Sequence, residues 1–429
     1  MTLMTQNLSL NLEDFLCKQQ HNSLIDSVPT AVYIHVPFCR RRCYYCDFPI
    51  SVVGNGNLIS TSTMVVDYVE ALCQEIITIE RSRQPLTTIF FGGGTPSLLP
   101  VSLLARILAT LEQHFGIAKD AEISMEIDPG TFNREQLQGF LVAGVNRLSL
   151  GVQAFQDELL QICGRSHTSQ NVFDAIALIN QLNITNFSLD LISGLPKQTL
   201  TQWHDSLNQA IAISPAHLSC YDLVLESVTA FGKQYQPGLQ PLPSDEDTAT
   251  MYRLAQQMLT DAGYQHYEIS NYAKPGFQCR HNRVYWQNQP YYGFGMGAAS
   301  FFAQKRFTRP RTRREYYAWV KAGAIIDVPK LSASDYLLET LMLGLRLAEG
   351  IRLSNITQQF GKQILKPICI CLQPYVNQGW VETITDEGKQ INADWHNLEQ
   401  NLELSLRLKD PEGFLFSNTI LAALFEKLS

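Results

Sequence analysis

The sequence predicts an α/β fold, an open partial barrel of six strand–helix units followed by a smaller α+β domain. Three observations predict it. Short apolar runs of strand length alternate with amphipathic helical segments from residue 31 to about 224. The runs are apolar almost throughout, the pattern of strands buried on both faces of a parallel sheet. The polar residues that do occur, Glu126, Gln153 and Asp190, fall within or just past such runs, toward the same end each time. Six units are two short of a closed eight-fold barrel, so the barrel is expected to be open.

Residues 1–30 are polar, with a Gln/Asn-rich patch, and read as an N-terminal arm. Ala31 to Phe38 is an apolar run interrupted by Pro37, a first strand. Gly54-Asn55-Gly56-Asn57 marks a loop. Met64 to Arg83 reads as a helix, with Val65, Tyr68, Val69, Leu72, Ile76 and Ile79 at helical spacing. Thr87 to Phe91 is a second strand and runs into the turn Gly92-Gly93-Gly94-Thr95-Pro96-Ser97. A helix over about 101–115 leads to the strand Glu122–Ile127, ended by Asp128-Pro129-Gly130. A helix from near Asn133 leads to the strand Arg147–Val152, ended by Gln153. Helices over about 170–182 and 199–213 alternate with strands over Phe187–Ile192 and Leu218–Val224. The boundaries read as an arm (1–30), a barrel (31–265), a linking segment (266–329) and a C-terminal domain (330–429). That last domain is expected to hold helices at 334–347, 353–373 and 417–428 and a hairpin at 380–392 around Asp386-Glu387-Gly388.

Hydrophobic residues make up 45% of the 429, enough for large packed cores. A formal charge of −7 argues against a chain built to wrap nucleic acid. Residues 1–30 lack a basic region followed by an apolar run. No stretch approaches the roughly 18 apolar residues of a transmembrane segment. A cytoplasmic setting with reduced thiols is the expectation.

Three of the ten cysteines, Cys39, Cys43 and Cys46, lie within eight residues on the loop after the first strand. Thiolates are soft ligands for zinc, copper(I) or iron–sulfur clusters. A structural zinc wants a fourth ligand, and Asp47-Phe48-Pro49 supplies none of the usual thiol or imidazole donors. A four-iron cluster on three thiolates, with one iron open, is the other solution. The plain alternative is three unrelated core cysteines. Cys17, Cys73, Cys163, Cys220, Cys279, Cys369 and Cys371 read as small hydrophobes. Glu126 and Asp190 are acceptors suited to hydroxyl or ammonium groups. Arg165 suits a carboxylate, and the glycine turn permits close backbone approach.

The cysteine loop resembles that of the radical S-adenosylmethionine (SAM) superfamily. The match narrows with Tyr33-Ile34-His35-Val36-Pro37-Phe38-Cys39, the Gly-Gly-Gly-Thr-Pro-Ser turn, Glu126-Ile127-Asp128-Pro129, Gly151-Val152-Gln153, Gly164-Arg165 and Asp190 to Pro196. These resemble the HemN/HemW branch of that superfamily. The resemblance implies a radical SAM barrel with a winged-helix-like C-terminal domain. It implies a 4Fe-4S cluster on Cys39, Cys43 and Cys46, and SAM contacts by Tyr33, Gly93, Gly94, Thr95, Glu126, Gln153, Arg165 and Asp190. In that superfamily the reduced cluster cleaves SAM to a 5′-deoxyadenosyl radical. The branch divides into an oxygen-independent coproporphyrinogen III oxidase, which decarboxylates propionates, and heme chaperones. The oxidase carries a fourth cysteine one residue beyond the triad, and here Asp47-Phe48 follows Cys46. Cys279-Arg280-His281-Asn282-Arg283-Val284-Tyr285-Trp286 is similar to the His-Asn-x-x-Tyr-Trp segment of the chaperones.

The expectation is therefore a heme chaperone, with the oxidase as alternative. Implied partners are heme-accepting proteins and a low-potential electron donor such as flavodoxin or ferredoxin. A homodimer and a peripheral membrane contact are compatible with the reading. His281 is the expected heme ligand, with Cys279 as rival and Tyr285, Trp286 and Phe294 as slot walls. The six basic residues from Lys305 to Arg314 read as a solvated loop or as partners for heme propionates. One consequence concerns the thiols. Cys43→Ala leaves two cysteines, so iron and sulfide content after anaerobic reconstitution is expected to fall to near zero. Cys73→Ala, in a helix, is expected to retain both; full retention in Cys43→Ala would place the ligands elsewhere.

Overall fold

The computed structural model describes residues 28–54, 63–81, 84–391, 395 and 398–428. Nearly all of the expected arm, and the loop past Gly54, lie outside the described residues. The chain divides into two units, Val28–Tyr285 with Gln289–Val328, and Trp286–Asn288 with the residues from Pro329 onward.

The larger unit is built on six parallel strands that neighbour one another in chain order. They are β1 (Ala31–Val36), β2 (Leu86–Gly93), β3 (Ile117–Ile127), β4 (Arg147–Gln153), β5 (Phe187–Ser193) and β6 (His217–Asp222). Their apolar residues, among them Ile34, Phe91, Met125, Leu150 and Leu189, are fully buried. The connecting helices α1 (Thr63–Thr78), α2 (Val101–Phe115), α3 (Arg134–Val142), α4 (Ser169–Gln181) and α5 (Leu200–Ile213) supply their packing partners. Reciprocal capping boxes start α3 at Asn133 and α5 at Thr199. The first helix ends five residues before the expected Arg83. The Thr78 hydroxyl bonds the Glu75 carbonyl at 2.6 Å, a local alternative to helix continuation. The third strand begins at Ile117, five residues before Glu122, and the sixth ends at Asp222, two before Val224.

The sheet is wider than six strands. After α6 (Asp245–Asp261), the short strands β7 (Gln265–Glu268) and β8 (Asn271–Ala273) extend it antiparallel beyond β6. After α7 (Arg280–Trp286), β9 (Tyr292–Phe294) joins the other edge, parallel to β1, with Ile34 opposite Phe294. Residues 266–328, apart from Trp286–Asn288, are thus part of the larger unit, not a linking segment. The basic stretch is no solvated loop either. Lys305–Thr308 pairs with Ala299–Phe302 as a hairpin. Arg309 is 2% exposed and bonds Glu75 through Nε at 2.7 Å.

The smaller unit is α+β, with a four-stranded antiparallel sheet where the sequence pattern gave a hairpin. The helix expected over 353–373 is two, Leu353–Phe360 and Leu365–Asn377. They break at Gly361, whose φ of 84° no α-helix accommodates. Among the described residues no helix is long and apolar enough to cross a membrane.

One crossing positions the cysteine loop. The Gly94 amide donates to the Val36 carbonyl and the Thr95 amide to that of Phe38, both at 2.8 Å. A Cβ on Gly94 would sit 2.8 Å from each of the carbonyl oxygens of Val36 and Phe38. Backbone atoms cannot yield as a flexible side chain does, so Gly94→Ala is expected to cost about 1–3 kcal/mol. A lowered denaturation midpoint checks it; an unchanged midpoint would mean the two segments separate freely.

Candidate functional site

A cavity of about 880 Å³ opens where the six strands end. Cys39, Cys43 and Cys46 line it, and so do Tyr33, Gly93, Gly94, Thr95, Glu126, Gln153, Arg165 and Asp190. The topology brings them together because the C-terminal ends of parallel strands share one edge of the barrel. The three cysteines are half-buried. Among the described residues no three His, Cys, Asp or Glu side chains meet at a single-ion position. Two donors face the thiols: the Thr95 hydroxyl lies 3.6 Å from Cys39 Sγ and Arg165 Nη1 lies 3.5 Å from Cys43 Sγ. Burial pushes the Cys39 thiol up to about 12 and raises that of Cys46, so both are protonated thiols at neutral pH.

Several anchors hold the loop. His35 Nε2 donates to the Pro49 carbonyl at 2.8 Å, and Nδ1 accepts from the Tyr33 hydroxyl at 3.1 Å. Burial lowers the His35 pKa to about 4, so the ring is neutral and this tautomer serves both bonds. The sequence reading missed His35, although it lies inside the quoted motif. Arg165 also has more partners than expected. It pairs with Asp128, donates to the Gly151 carbonyl at 3.1 Å and reaches the Tyr45 hydroxyl at 3.3 Å. Its carboxylate is thus supplied by the chain itself. Burial alone would raise the Asp128 pKa, but Arg165 and His167 outweigh it and lower it.

The glycine turn spends its amides on the chain itself. The Gly93 amide donates to Glu126 Oε2 at 3.0 Å, and the Gly94 amide is taken by Val36. Gly93 has a φ of 108°, and a Cβ there would meet the His35 ring at 2.4 Å. Gln153 adopts a left-handed φ of 66° at an irregularity in the β4–β5 pairing. Such a local irregularity re-aims a side chain at a strand end. Asp190 accepts from the Ser149 hydroxyl at 2.8 Å and from Ser188 at 3.2 Å.

The expected heme contacts stand elsewhere. His281 is fully buried, with Nδ1 bonded to the Thr88 hydroxyl and Nε2 to the Tyr285 hydroxyl, both at 2.8 Å. Burial lowers its pKa to about 3. With both ring nitrogens engaged it is a structural histidine, which corrects the heme-ligand expectation. Cys279 is fully buried too, its thiol 3.6 Å from Glu122 Oε1 and pushed up to about 12 by burial. Phe294 belongs to the core, Trp286 to the smaller unit, and Arg309 to Glu75. Of this set, Tyr285 and Arg311 line the cavity.

Glu126 carries a testable consequence. Burial, then the charge of Asp190, lift its pKa from 4.5 to about 8. Between those values the folded chain holds a proton that the unfolded chain has released. Its contribution therefore falls as pH rises through that window and is lowest above about 8. Glu126→Gln is expected to melt higher than the parent at pH 9 and alike at pH 4, by an amount on the order of a few kcal/mol. Parallel stability–pH curves would contradict the burial of this carboxyl.

Comparison with known proteins agrees with this geometry. Residues 33–210 match the radical SAM superfamily, and residues 331–387 match the HemN C-terminal domain. The chain is 50% identical to the heme chaperone HemW of Synechocystis over 94% of its length and 97% of that protein. It is 37% identical to the Escherichia coli heme chaperone HemW over 75% of its length and 84% of that protein. The solved structure of Escherichia coli coproporphyrinogen III oxidase HemN, a radical SAM enzyme, superposes with a TM-score of 0.75 at 22% identity. It covers 94% of this chain and 91% of its own, a likeness of fold. With half its residues shared over nearly the whole length of both chains, this protein belongs to the HemW family of radical SAM proteins.

Proposed function

We propose that the chain carries a 4Fe-4S cluster on Cys39, Cys43 and Cys46, binds SAM beside it, and acts in the cytoplasm as a heme chaperone that delivers heme to acceptor proteins. One observation carries the cofactor reading: the three thiols and all eight residues expected at SAM line one cavity. The donor set fits. Three soft ligands line one cavity, with a hydroxyl and a guanidinium facing two of the sulfurs. When bound and reduced, the cluster supplies the electron that cleaves SAM, and a low-potential donor supplies it in turn. The chain's own residues position SAM. Glu126 accepts the ammonium, and since its carboxyl holds a proton up to about pH 8, binding a cation there releases that proton. Asp190, oriented by Ser149 and Ser188, accepts from ribose hydroxyls. Arg165 bridges Cys43, Tyr45 and Asp128 and so holds the loop to the barrel.

The heme reading is supported by the relatives named heme chaperones and by Asp47-Phe48 where the oxidase has its further cysteine. The test is anaerobic reconstitution followed by heme titration, transfer to an apo-acceptor, and coproporphyrinogen turnover, side by side. Defined heme stoichiometry with transfer and no decarboxylation is expected. Turnover to protoporphyrinogen, with no heme transfer, would select the oxidase.

A further inference from the structure

Arg147 is a cation of the cavity wall that forms no ion pair or hydrogen bond through its guanidinium among the described residues. It begins β4, opposite Ser124 of β3, and is 2% exposed. Its Nε meets no hydrogen-bond partner, and among the described residues no hydrogen bond or ion pair forms to its guanidinium. Arg40, Arg41, Arg165 and Arg311 on the same wall differ, each donating to a carbonyl or carboxylate of the chain.

Cys279, Glu122, Tyr267 and Asp190 act on Arg147 electrostatically, and both carboxylates are engaged elsewhere. Glu122 accepts the amides of Arg280 and His281 at 3.0 and 3.1 Å. Asp190 accepts from Ser149 and Ser188. A buried guanidinium keeps its charge and calls for a carboxylate or phosphate across its planar fork. A second donor stands on the same wall. Asn282 is half-buried, lines the cavity, and its side-chain amide forms no hydrogen bond among the described residues. It follows His281, and both Asn282 and Arg147 line the cavity. Tyr285 lines the same cavity, its hydroxyl bonded to His281 Nε2.

Arg147 opens β4 and Gln153 closes it, so their backbones stand about 20 Å apart, with Asp190, which feels the Arg147 charge, between the two ends. At about 880 Å³ the cavity is near the upper end of the roughly 300–1,000 Å³ of small-molecule sites.

We propose that the inner end of the cavity is a carboxylate-binding subsite, with Arg147 as the bidentate partner and Asn282 as second donor, for an acid bound together with SAM. The proposal rests on the reading that SAM occupies the mouth. The carboxylate belongs either to a small free acid or to a propionate arm of a porphyrin, and the two probes below distinguish these.

The experiment uses the full chain, reconstituted and loaded with SAM. Carbon-13-labelled propionate is followed by line broadening. Metal-free mesoporphyrin and its dimethyl ester are followed by fluorescence. Iron content and SAM affinity are measured in parallel. The parent is expected to bind at least one acid probe. Arg147→Gln is expected to weaken it tenfold or more, Arg147→Lys less, with the cluster retained and SAM affinity changed less than that for the acid. Binding of propionate assigns a small acid; binding of mesoporphyrin but not of its ester or of propionate assigns the porphyrin arm. Asn282→Ala, which removes no buried charge, is expected to weaken the same probe at least threefold and serves if Arg147→Gln does not fold. Equal affinity in parent and variants, or no acid bound by the parent, overturns the subsite. Loss of SAM affinity in Arg147→Gln, with acid binding intact, also overturns it and moves Arg147 to the SAM site. Failure of the parent to bind SAM is a separate result, against the reading of the mouth.

Discussion

The site depends on one close passage of backbone past backbone. Residues 94 and 95 donate to the carbonyls of Val36 and Phe38 with no side chain between them. That passage fixes where β1 releases the chain into the cysteine loop. It puts Thr95 beside Cys39 and leaves the Gly93 amide to orient Glu126. A second set of contacts closes the far side of the loop. Gly297 packs against Pro49, whose carbonyl is held by His35. Tyr68 ties His35 to the Met296 amide by bonds of 2.7 and 3.1 Å. The cysteines are therefore held from β2 on one side and from the segment after β9 on the other.

That second side rests on a buried ion pair. Glu75 on α1 takes Arg309 Nε at 2.7 Å, the Tyr316 hydroxyl at 2.6 Å and the Gly295 amide at 2.9 Å. Removing either charge strands the other without water, which costs far more than an exposed pair is worth. Arg309 is thus a structural anchor. The same reasoning distinguishes it from Arg147, a cation buried to the same extent that has no such carboxylate against it.

Much of the barrel was legible because its signals are local. Apolar runs of strand length alternate with helical periodicity, and a polar residue near the end of such a run has few places to go but the mouth. Glu126 and Asp190 were readable on that ground alone, and the thiols on spacing. What stayed illegible depends on partners far away in sequence. His281 reads as a free imidazole beside an aromatic residue, but its partners include Thr88, 193 residues away. The three-residue strand β9 is too short to carry a periodic signal, yet it joins the sheet within residues 289–328 of the larger unit. The basic run from Lys305 gave no sign that Arg309 turns inward to Glu75. Arg147 carried a faint signal, a charge opening an otherwise apolar strand, and that signal went unread.

The central claim is that cluster and SAM share one cavity, side by side. Electron paramagnetic resonance of the reduced, reconstituted protein tests it most directly. If SAM sits against the cluster, its addition changes the g values of the reduced cluster, and Glu126→Ala requires more SAM for the same change. A signal that saturating SAM leaves untouched, in protein that retains its iron and sulfide, would contradict the account.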